Sequence, residues 1–339
     1  MAKWYNDTGL QSDIVLSTRI RLARNLKGIP FPGKMSKEDA EKTIKLVETA
    51  LEEMNYTFVK YDMQLLSPVE KQRLVEERYI SPNFASSKLP SCVYISEDES
   101  VSIMVNEEDH LRIQSIYAGF EAEKAYDLIS KIDSYLAEKL DYAIHEKYGH
   151  LTTCLTNVGT GMRISYMVHL PAIVACKAAD GIFSAIGKLG ATVRGIYGEG
   201  TKSSGFIFQI SNQITLGRDE SEIKSALSET VESVIAKERE LRKEIHKQKG
   251  IVLEDKIMRS YGILKHAGIM QSSEMMSLLS DVRLGISLGI IDNTDVGTVN
   301  KLMVTASRAH LSNPENPESD LERDIERAKL IKNSFDTSM

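Results

Sequence analysis

The segment from Cys154 to Arg163 places a thiol, an amide, two glycines and an arginine in one short stretch of chain. Gly159 and Gly161 permit a tight loop that residues with side chains rarely follow. Such a loop can bring backbone N–H groups and the guanidinium of Arg163 close to an anion. The segment therefore predicts a fold that presents this loop to an anionic ligand.

The pattern before and after this loop predicts a chain of mixed α and β structure. Residues 36–39 and 67–70 have the capping-box form, and apolar residues then recur at helical spacing. Apolar residues between 93 and 105 alternate on both sides of an acidic turn, as in a hairpin with one buried face. Further helices are expected at 121–140 and 172–189, and further strands at 151–155 and 206–210. Because regular βαβ alternation is absent, we expect an α+β fold with an antiparallel sheet flanked by helices.

The last third of the chain differs from the rest in its charge content and in the spacing of its apolar residues. From about Asp219 charged residues become frequent, and helical spacing continues to the end with breaks at Gly250, Gly268 and Gly289. Prolines at 314 and 317 indicate a linker before a last short helix at 321–331. This part of the sequence predicts a C-terminal helical module.

Composition excludes several classes of protein. The net charge of −6 argues against nucleic acid as a partner, since phosphate-backbone binding needs a basic face. Cys92, Cys154 and Cys176 lack CxxC spacing, and the histidines lack metal-ligand spacing, so we expect reduced thiols and no protein-held metal. No apolar run approaches the length of a membrane span, and the first residues do not resemble a signal peptide. We therefore expect a cytoplasmic protein without membrane contact.

A run of arginines follows Asp13. Arg19 and Arg21 alternate in a strand-like segment, so they should project from the same face, where two guanidiniums can clamp a phosphate. A solvated edge strand with scattered arginines is the alternative interpretation. A P-loop is not the source of phosphate binding, because residues 195–203 carry one extra residue between the last glycine and the lysine of GxxxxGK[ST].

Two further features have both a catalytic and an ordinary interpretation. Glu107 and Glu108 could form a solvated helix start, or a carboxylate pair that orients a guanidinium and accepts its proton. Such a pair suits a group whose pKa exceeds about 12. Cys154 could be a small buried apolar residue, or a thiolate favoured by nearby arginines.

Four segments, taken together, resemble the catalytic domain of the phosphagen (guanidino) kinase family. They are residues 17–25, 106–112, 154–163 and 193–200. Within that family the likeness is to the bacterial protein arginine kinases of the McsB type. The resemblance implies ATP as the phosphoryl donor and a guanidino nitrogen as the acceptor.

The resemblance also implies a role for each matching residue. Glu108 corresponds to the catalytic base, and Glu199 to a second glutamate that orients the guanidinium. Cys154, Glu107 and Asn157 would tune the acceptor site. The residues implied to bind ATP are Ser17, Thr18, Arg19, Ile20, Arg21, Arg112, Arg163, Ile164, Ser165, Tyr166, Met167, Arg194, Gly195, Ile196, Tyr197 and Gly198.

Among these residues, five arginines would surround the ATP phosphates, and Mg²⁺ would be carried by those phosphates with few protein ligands. Met167 departs from the family pattern, since many members have a histidine there. The residues that contact adenine are therefore left open.

The predicted final helix contains another motif that has both an ordinary and a functional interpretation. Arg323, Asp324 and Arg327 could belong to an exposed helix with surface ion pairs. In protein arginine kinases an RDxxRA motif at this place binds phosphoarginine, so the resemblance implies an allosteric site.

The resemblance suggests a division of the chain and a set of partners. We expect an N-terminal extension at 1–12, a catalytic domain at 13–237 and a helical regulatory and dimerisation domain at 238–339. Because few residues precede Asp13, no lid would close the acceptor site, which favours arginine side chains of proteins as substrates. Implied partners are the activator McsA, the heat-shock repressor CtsR as a substrate, the ClpC–ClpP protease that degrades marked proteins, and a second copy of the chain. A free-arginine or other metabolite kinase, and a non-catalytic adaptor, are the alternatives.

Overall fold

The computed structural model describes residues 3–196, 203–313 and 319–336. Within these residues eight strands form one antiparallel sheet, in the order β2-β3-β4-β5-β1-β8-β10-β9. A small two-stranded sheet pairs β6 with β7. The strands are β1 (Val15–Arg24), β2 (Phe58–Asp62), β3 (Cys92–Ser96), β4 (Val101–Val105), β5 (Leu111–Ala118), β6 (Ile144–His145), β7 (Gly149–His150), β8 (Met162–His169), β9 (Ala191–Gly195) and β10 (Ile207–Asn212).

Helices flank the sheet, which confirms the predicted α+β fold. They are α1 (Lys37–Glu52), α2 (Pro68–Glu76), α3 (Pro82–Ala85), α4 (Ala122–Lys139), α5 (Pro171–Ala175), α6 (Ala179–Lys188), α7 (Glu220–Lys249), α8 (Ile251–His266), α9 (Ser272–Ser287), α10 (Val296–Thr305) and α11 (Asp320–Asp336). The main apolar core lies between the sheet and these helices, and β1 crosses it with Ile20 and Leu22 almost wholly buried. No helix in the described part of the chain is both long and apolar enough to span a bilayer.

Local signals in the sequence set several element boundaries. Ser36 and Ser67 both accept a hydrogen bond from the backbone three residues on, and each completes the predicted capping box at the start of α1 and α2. The predicted hairpin is the β3–β4 pair, in which Cys92 lies opposite Val105. The C-terminal helices begin and end close to the predicted breaks, with Gly250 between α7 and α8.

Three local predictions differ from the structure. None of residues 151–155, predicted as a strand, lies in a strand, and the carboxylate of Asp109 accepts the backbone N–H of Thr153 that a sheet partner would use. The helix expected at 172–189 is split into α5 and α6, since Lys177 has a φ of 57° that α-helix cannot accommodate. Strand β10 begins at Ile207, after Phe206 with a φ of 55°.

The C-terminal helices pack directly on the eight-stranded sheet. The predicted boundary at 237/238 falls inside α7, which contacts β8 and β10. From α7, Arg242 donates a hydrogen bond to the carbonyl of Asp13 (3.0 Å), and Arg283 of α9 donates to the same carbonyl (2.8 Å). These contacts hold the chain just before β1. The division into separate domains remains a prediction.

A second junction joins α2 to the segment that follows α10. Glu76 accepts hydrogen bonds from the backbone N–H of Ala309 (3.0 Å) and pairs with His310 Nδ1 (3.0 Å). His310 Nε2 lies 3.4 Å from Glu77, which also pairs with Lys3. Burial alone would lower the pKa of His310, but the two glutamates outweigh burial and raise it from 6.5 to about 8.

This junction predicts a pH-dependent contribution to stability. Because the folded pKa of His310 lies above its unfolded value, the contribution should be complete below pH 6.5 and should disappear as pH rises through about 8. His310→Gln should therefore lower the free energy of unfolding by about 1 kcal/mol at pH 6, with a smaller loss at pH 9. Urea denaturation at both pH values measures this difference. His266→Gln, at an exposed histidine, is the control, and equal losses at the two pH values would contradict the prediction.

Candidate active site

Neighbouring strands place five arginines on one face of the sheet. Arg21 of β1 lies directly opposite Arg163 of β8, and Arg112 of β5 lies opposite Ala23, two residues along β1. Because side chains alternate between the faces of a strand, residues in register share a face. Arg19 reaches across β8 to Gln209 of β10, with Nη2 and Oε1 3.2 Å apart. Arg194 of β9 is exposed and lies opposite Gln209.

These arginines repel one another strongly. Burial and the charges of neighbouring arginines, Arg21 first, hold the pKa of Arg19 well below its usual range. Burial together with Arg112 and Arg163 lowers the pKa of Arg21 to about 9. Burial and the charges of Arg194 and Arg112 likewise lower the pKa of Arg163. Each shift shows that the site disfavours the charged forms that it contains, and an anion would relieve this.

Two guanidinium nitrogens of this face are closed off from solvent without a hydrogen-bond acceptor. They are Nε of Arg21 and Nε of Arg163, as judged among the described residues. Arg163 does use Nη2, which donates to Ser211 Oγ at 3.1 Å. Buried donors without acceptors are costly, so this face fits an anion with several oxygens, such as a polyphosphate.

The predicted carboxylate pair lies in the turn between β4 and β5. Glu107 is nearly buried and accepts a hydrogen bond from Arg112 Nη1 (2.9 Å) and another from Ser81 Oγ. Glu108 is more exposed and accepts from Arg112 Nη2 at 3.0 Å. Arg112, one of the five arginines on this face of the sheet, therefore holds both carboxylates in place. The turn itself requires Asn106 to adopt a φ of 64°, a conformation that asparagine tolerates.

A buried network fixes this turn relative to the Cys154 loop. Asp109 Oδ1 accepts from Asn25 Nδ2 (2.6 Å) and from the backbone N–H of Thr153 (2.7 Å). His110 accepts the backbone N–H of Leu26 at Nδ1 (2.9 Å), so its Nε2 must donate to the carbonyl of residue 30. Burial lowers the pKa of His110, which favours this neutral form. Within this turn, the sequence assigned a catalytic or acceptor-site role to Glu107 and Glu108 alone, and the structure gives Asp109 and His110 a supporting role in the same turn.

The loop from Cys154 to Arg163 completes a small cleft of about 100 Å³. Cys154 Sγ lies 3.0 Å from Thr156 Oγ1 and is partly exposed. At Gly159, which has a φ of 115°, an added Cβ would lie 2.1 Å from the carbonyl oxygen of Thr215, so only glycine fits. The residues lining the cleft are Arg21, Ala23, Glu108, Arg112, Cys154, Thr156, Asn157, Gly161 and Arg163.

Several residues implied to bind ATP are placed elsewhere. Thr18, Ile20, Ile164 and Tyr166 alternate with the arginines and are wholly buried on the opposite face of the sheet. Tyr166, for example, shares a hydrogen bond with Ser228 Oγ (2.7 Å). Only the backbone of these residues could serve an anion on the arginine face.

The remaining ATP residues fall into two groups. Ser17, Ser165 and Met167 share the arginine face by register. Gly195 and Ile196 follow Arg194 at the end of β9. Glu199, predicted to orient the guanidinium, lies outside the described residues, as do Tyr197 and Gly198.

Two arginines differ from what their sequence positions suggest. Arg24 follows Arg21 on β1 but does not join the anion face, because it is buried against Asp133 with Nη2 and Oδ2 2.7 Å apart. Arg78 lies outside every predicted motif, yet its charge contributes to the lowered pKa of Arg19. Arg78 follows α2 with a φ of 68°, and its guanidinium lies 5.6 Å from the ring of Trp4. No local spacing in the sequence identifies it.

The predicted allosteric residues form a compact group on α11. Arg327 is buried and donates to the carbonyls of Ala306 and Met270, both at 2.8 Å, and to the carboxylate of Asp324. Arg323 is also buried and pairs with Asp320. The alternative of an exposed helix with surface ion pairs is therefore wrong for these arginines.

Two family models match the chain. One, described as the ATP:guanido phosphotransferase C-terminal catalytic domain, matches residues 40–241. The other, described as the protein-arginine kinase McsB C-terminal domain, matches residues 250–339. Together they cover every strand of the eight-stranded sheet except β1, and the C-terminal helices.

Two relatives of similar length are both named protein-arginine kinase. A protein-arginine kinase of Pelotomaculum thermopropionicum is 45% identical over 338 residues, covering 98% of this chain and 95% of the relative. The protein-arginine kinase of Bacillus subtilis is 44% identical over 344 residues, covering 100% of this chain and 94% of the relative.

Solved structures confirm the fold alone. A lombricine kinase superposes with a TM-score of 0.61 at 22% identity, over 68% of this chain and 67% of that chain. The duplicated taurocyamine kinase from Schistosoma mansoni gives a TM-score of 0.62 at 22% identity, over 72% of this chain and 37% of that chain.

The crowding of arginines predicts opposite effects for two substitutions on β1. Arg21→Met removes a repelled charge, so the free energy of unfolding without ligand should stay the same or rise, while affinity for ATP falls at least about tenfold. Arg24→Met breaks a buried pair and should lower the free energy of unfolding by about 3–5 kcal/mol. Urea denaturation and titration with ATP separate the two outcomes. Destabilisation of Arg21→Met to the same extent would show that Arg21 is a structural residue.

Proposed function

Since the chain belongs to the ATP:guanido phosphotransferase family, we propose that it is an ATP-dependent protein arginine kinase. The relatives that share its full length at 44–45% identity are named protein-arginine kinases. The proposed reaction transfers the γ-phosphoryl group of ATP to a guanidino nitrogen of an arginine side chain in a protein.

The juxtaposition of two carboxylates with an arginine-lined cleft carries this proposal. Glu108 and Arg112 line the same cleft as Arg21 and Arg163. A polyphosphate suits the arginines, and a cationic guanidinium suits Glu107 and Glu108. The two reactants would then meet beside Glu108, which is the geometry that phosphoryl transfer requires.

Each group of residues has a part in the proposed mechanism. Arg19, Arg21, Arg112, Arg163 and Arg194 hold the phosphates and stabilise the charge that develops on the oxygens. Arg78 is an additional candidate for this set. The acceptor nitrogen attacks the γ-phosphorus, the bond to the oxygen of ADP breaks, and a P–N bond forms.

In this mechanism, a residue on the acceptor side of the cleft accepts the proton. Glu108 accepts the proton that the guanidinium loses, and Glu107 holds Arg112 in place. Cys154 and Asn157 line the acceptor side and tune it, so Cys154 is not required as a covalent nucleophile. Glu199 is proposed, from the resemblance, to orient the guanidinium from its other edge.

The arginine face does not suit a protein-bound metal ion. Among the described residues, no group of three or more His, Cys, Asp or Glu could hold one. Mg²⁺ is therefore proposed to enter with the nucleotide, where it neutralises phosphate charge. The chain's own contribution is the set of guanidiniums around the phosphates.

The proposal extends to a biological setting. Residues 250–339 match a McsB C-terminal domain, and on the family resemblance a regulatory and dimerisation role is proposed for these helices. On the family resemblance, the partners would be the activator McsA, the repressor CtsR and the ClpC–ClpP protease, in the cytoplasm. Co-purification of the tagged chain from cells with and without heat shock would test these partners.

The mechanism predicts that Glu108→Gln abolishes transfer while ATP still binds, because the amide keeps the shape of the side chain but cannot accept the proton. The rate should fall on the order of 100- to 10,000-fold. Phosphoarginine on an unfolded model protein, measured by mass spectrometry at neutral pH, reports the rate. Glu97→Gln, in the turn at the other end of β4, is the matched control. Near-normal turnover of Glu108→Gln would exclude Glu108 as the base.

The same assay separates the proposed function from its alternatives. A protein arginine kinase should phosphorylate the model protein, whereas a metabolite kinase should act on free arginine alone. A non-catalytic adaptor should consume no ATP with either acceptor. Cys154→Ala should retain measurable activity, and complete inactivity of that folded variant would indicate an essential thiol.

The buried group on α11 predicts a response to phosphoarginine. Its arginines suit the phosphate, and Asp324 suits the guanidino nitrogens. Asp324→Asn, and Arg323→Ala with Asp324→Ala, should keep basal activity but lose activation by added phosphoarginine, because such a site acts only by favouring one state or assembly. Initial rates and sedimentation with and without free phosphoarginine measure this. Lys329→Ala, exposed on the same helix, is the control, and a response equal to that of the unaltered chain would reject the site.

A further inference from the structure

A second, larger cleft of about 420 Å³ opens on the other side of Glu108. One wall is the segment 81–87, which includes α3, and the opposite wall is formed by Glu107, Glu108 and Arg112. Glu108 and Arg112 also line the arginine cleft, so the two clefts adjoin at these side chains. The larger one is the direct approach to Glu108 from outside the arginine cleft.

We propose that this cleft binds the polypeptide on either side of the acceptor arginine. The proposal rests on the proposed function, since it applies only if the acceptor is a protein. The smaller cleft, of about 100 Å³, can hold a guanidinium and part of its stem beside the phosphates. The backbone that carries the arginine must then lie outside it, and the adjoining space is the cleft along 81–87.

The wall at 81–87 offers groups that recognise a peptide backbone. Asn83 is exposed and Ser87 is half-buried, and neither side chain has a hydrogen-bond partner among the described residues. A carboxamide can donate to a peptide carbonyl and accept from a peptide N–H at the same time. Binding through the backbone would accept many different sequences around the arginine.

The wall is held rigidly against the carboxylates. Ser81 Oγ accepts the backbone N–H of Phe84 (3.0 Å), and its hydroxyl donates to Glu107. The ring of Phe84 is buried beneath the segment. Asn83 and Ser87 therefore sit on a segment whose position is fixed relative to Glu107, as a preformed binding wall requires.

Charge in this cleft favours some flanking residues over others. Glu107 and Glu108 contribute two negative charges and Arg112 one positive charge, which leaves a net charge of −1 on the titratable residues of the wall. Peptides with lysine next to the arginine should therefore bind better than peptides with aspartate there. Arg112 offsets one of the two negative charges through its pairs with both carboxylates, and the remaining charge is negative.

The test compares peptide and free arginine as acceptors for Asn83→Ala with Ser87→Ala. The KM for an arginine-containing peptide should rise about threefold to tenfold, while kcat and the KM for ATP stay unchanged. The KM for free arginine should also stay unchanged. Asn55→Ala is the matched control, because Asn55 lines a separate cleft that also contains two acidic residues, Glu97 and Asp98. An equal change for peptide and free arginine, or no change for peptide, would overturn the proposal.

A charge reversal and a binding measurement complete the design. Asn83→Lys should shift the preference from lysine-flanked toward aspartate-flanked peptides. Fluorescence anisotropy of the labelled peptides, with no ATP present, measures binding without catalysis. If the unaltered chain phosphorylates no peptide, the proposed function fails. If it phosphorylates peptides but both variants bind them as the unaltered chain does, the proposed function stands and the cleft is excluded.

Discussion

Repulsion among the arginines of β1, β5 and β8 is the constraint on which the rest of the site depends. Arg19 and Arg21 have lowered pKa values because they are buried beside other guanidiniums, and Nε of Arg21 and Nε of Arg163 have no acceptor among the described residues. A sheet that concentrates charge in this way is less stable without an anion than it could be. Binding of an anion explains the arrangement, because an anion supplies both the negative charge and the hydrogen-bond acceptors that the arginines lack.

The fold withstands this repulsion by anchoring everything around the arginines. Arg24, on the same strand, is neutralised by Asp133, so β1 is held at one end by a paired charge. Asn25 and Asp109 then connect β1, the carboxylate turn and the Cys154 loop through buried hydrogen bonds. These contacts fix the turn that carries Glu108 relative to the arginines. In the proposed mechanism, the geometry of the site therefore depends on residues that touch neither reactant.

The sequence predicts those features that depend on local order. Alternation placed Arg19 and Arg21 on one face, and capping boxes located α1 and α2, because both signals act over a few residues. Features that depend on distant partners could not be predicted. Arg78 joins the arginines only through tertiary packing. Residues 151–154 form no strand, because the backbone of Thr153 binds the side chain of Asp109, which lies 44 residues earlier in the chain. Arg327 is buried by carbonyls of two other segments.

Two sets of contacts tie the C-terminal helices to segments that precede these arginines, one just before β1 and one at the end of α2. In α7, Glu238 accepts the backbone N–H groups at the start of α5 and pairs with Arg242, which in turn holds the carbonyl of Asp13. At the other junction, Glu76 and Glu77 bind the segment around His310 and lie directly before Arg78. A cut at residue 237 would separate Glu238 from α5 and leave the backbone groups of α5 buried without an acceptor. The helices are therefore part of what positions the arginines, and a change in their packing would reach the face of the sheet that is proposed to bind phosphate.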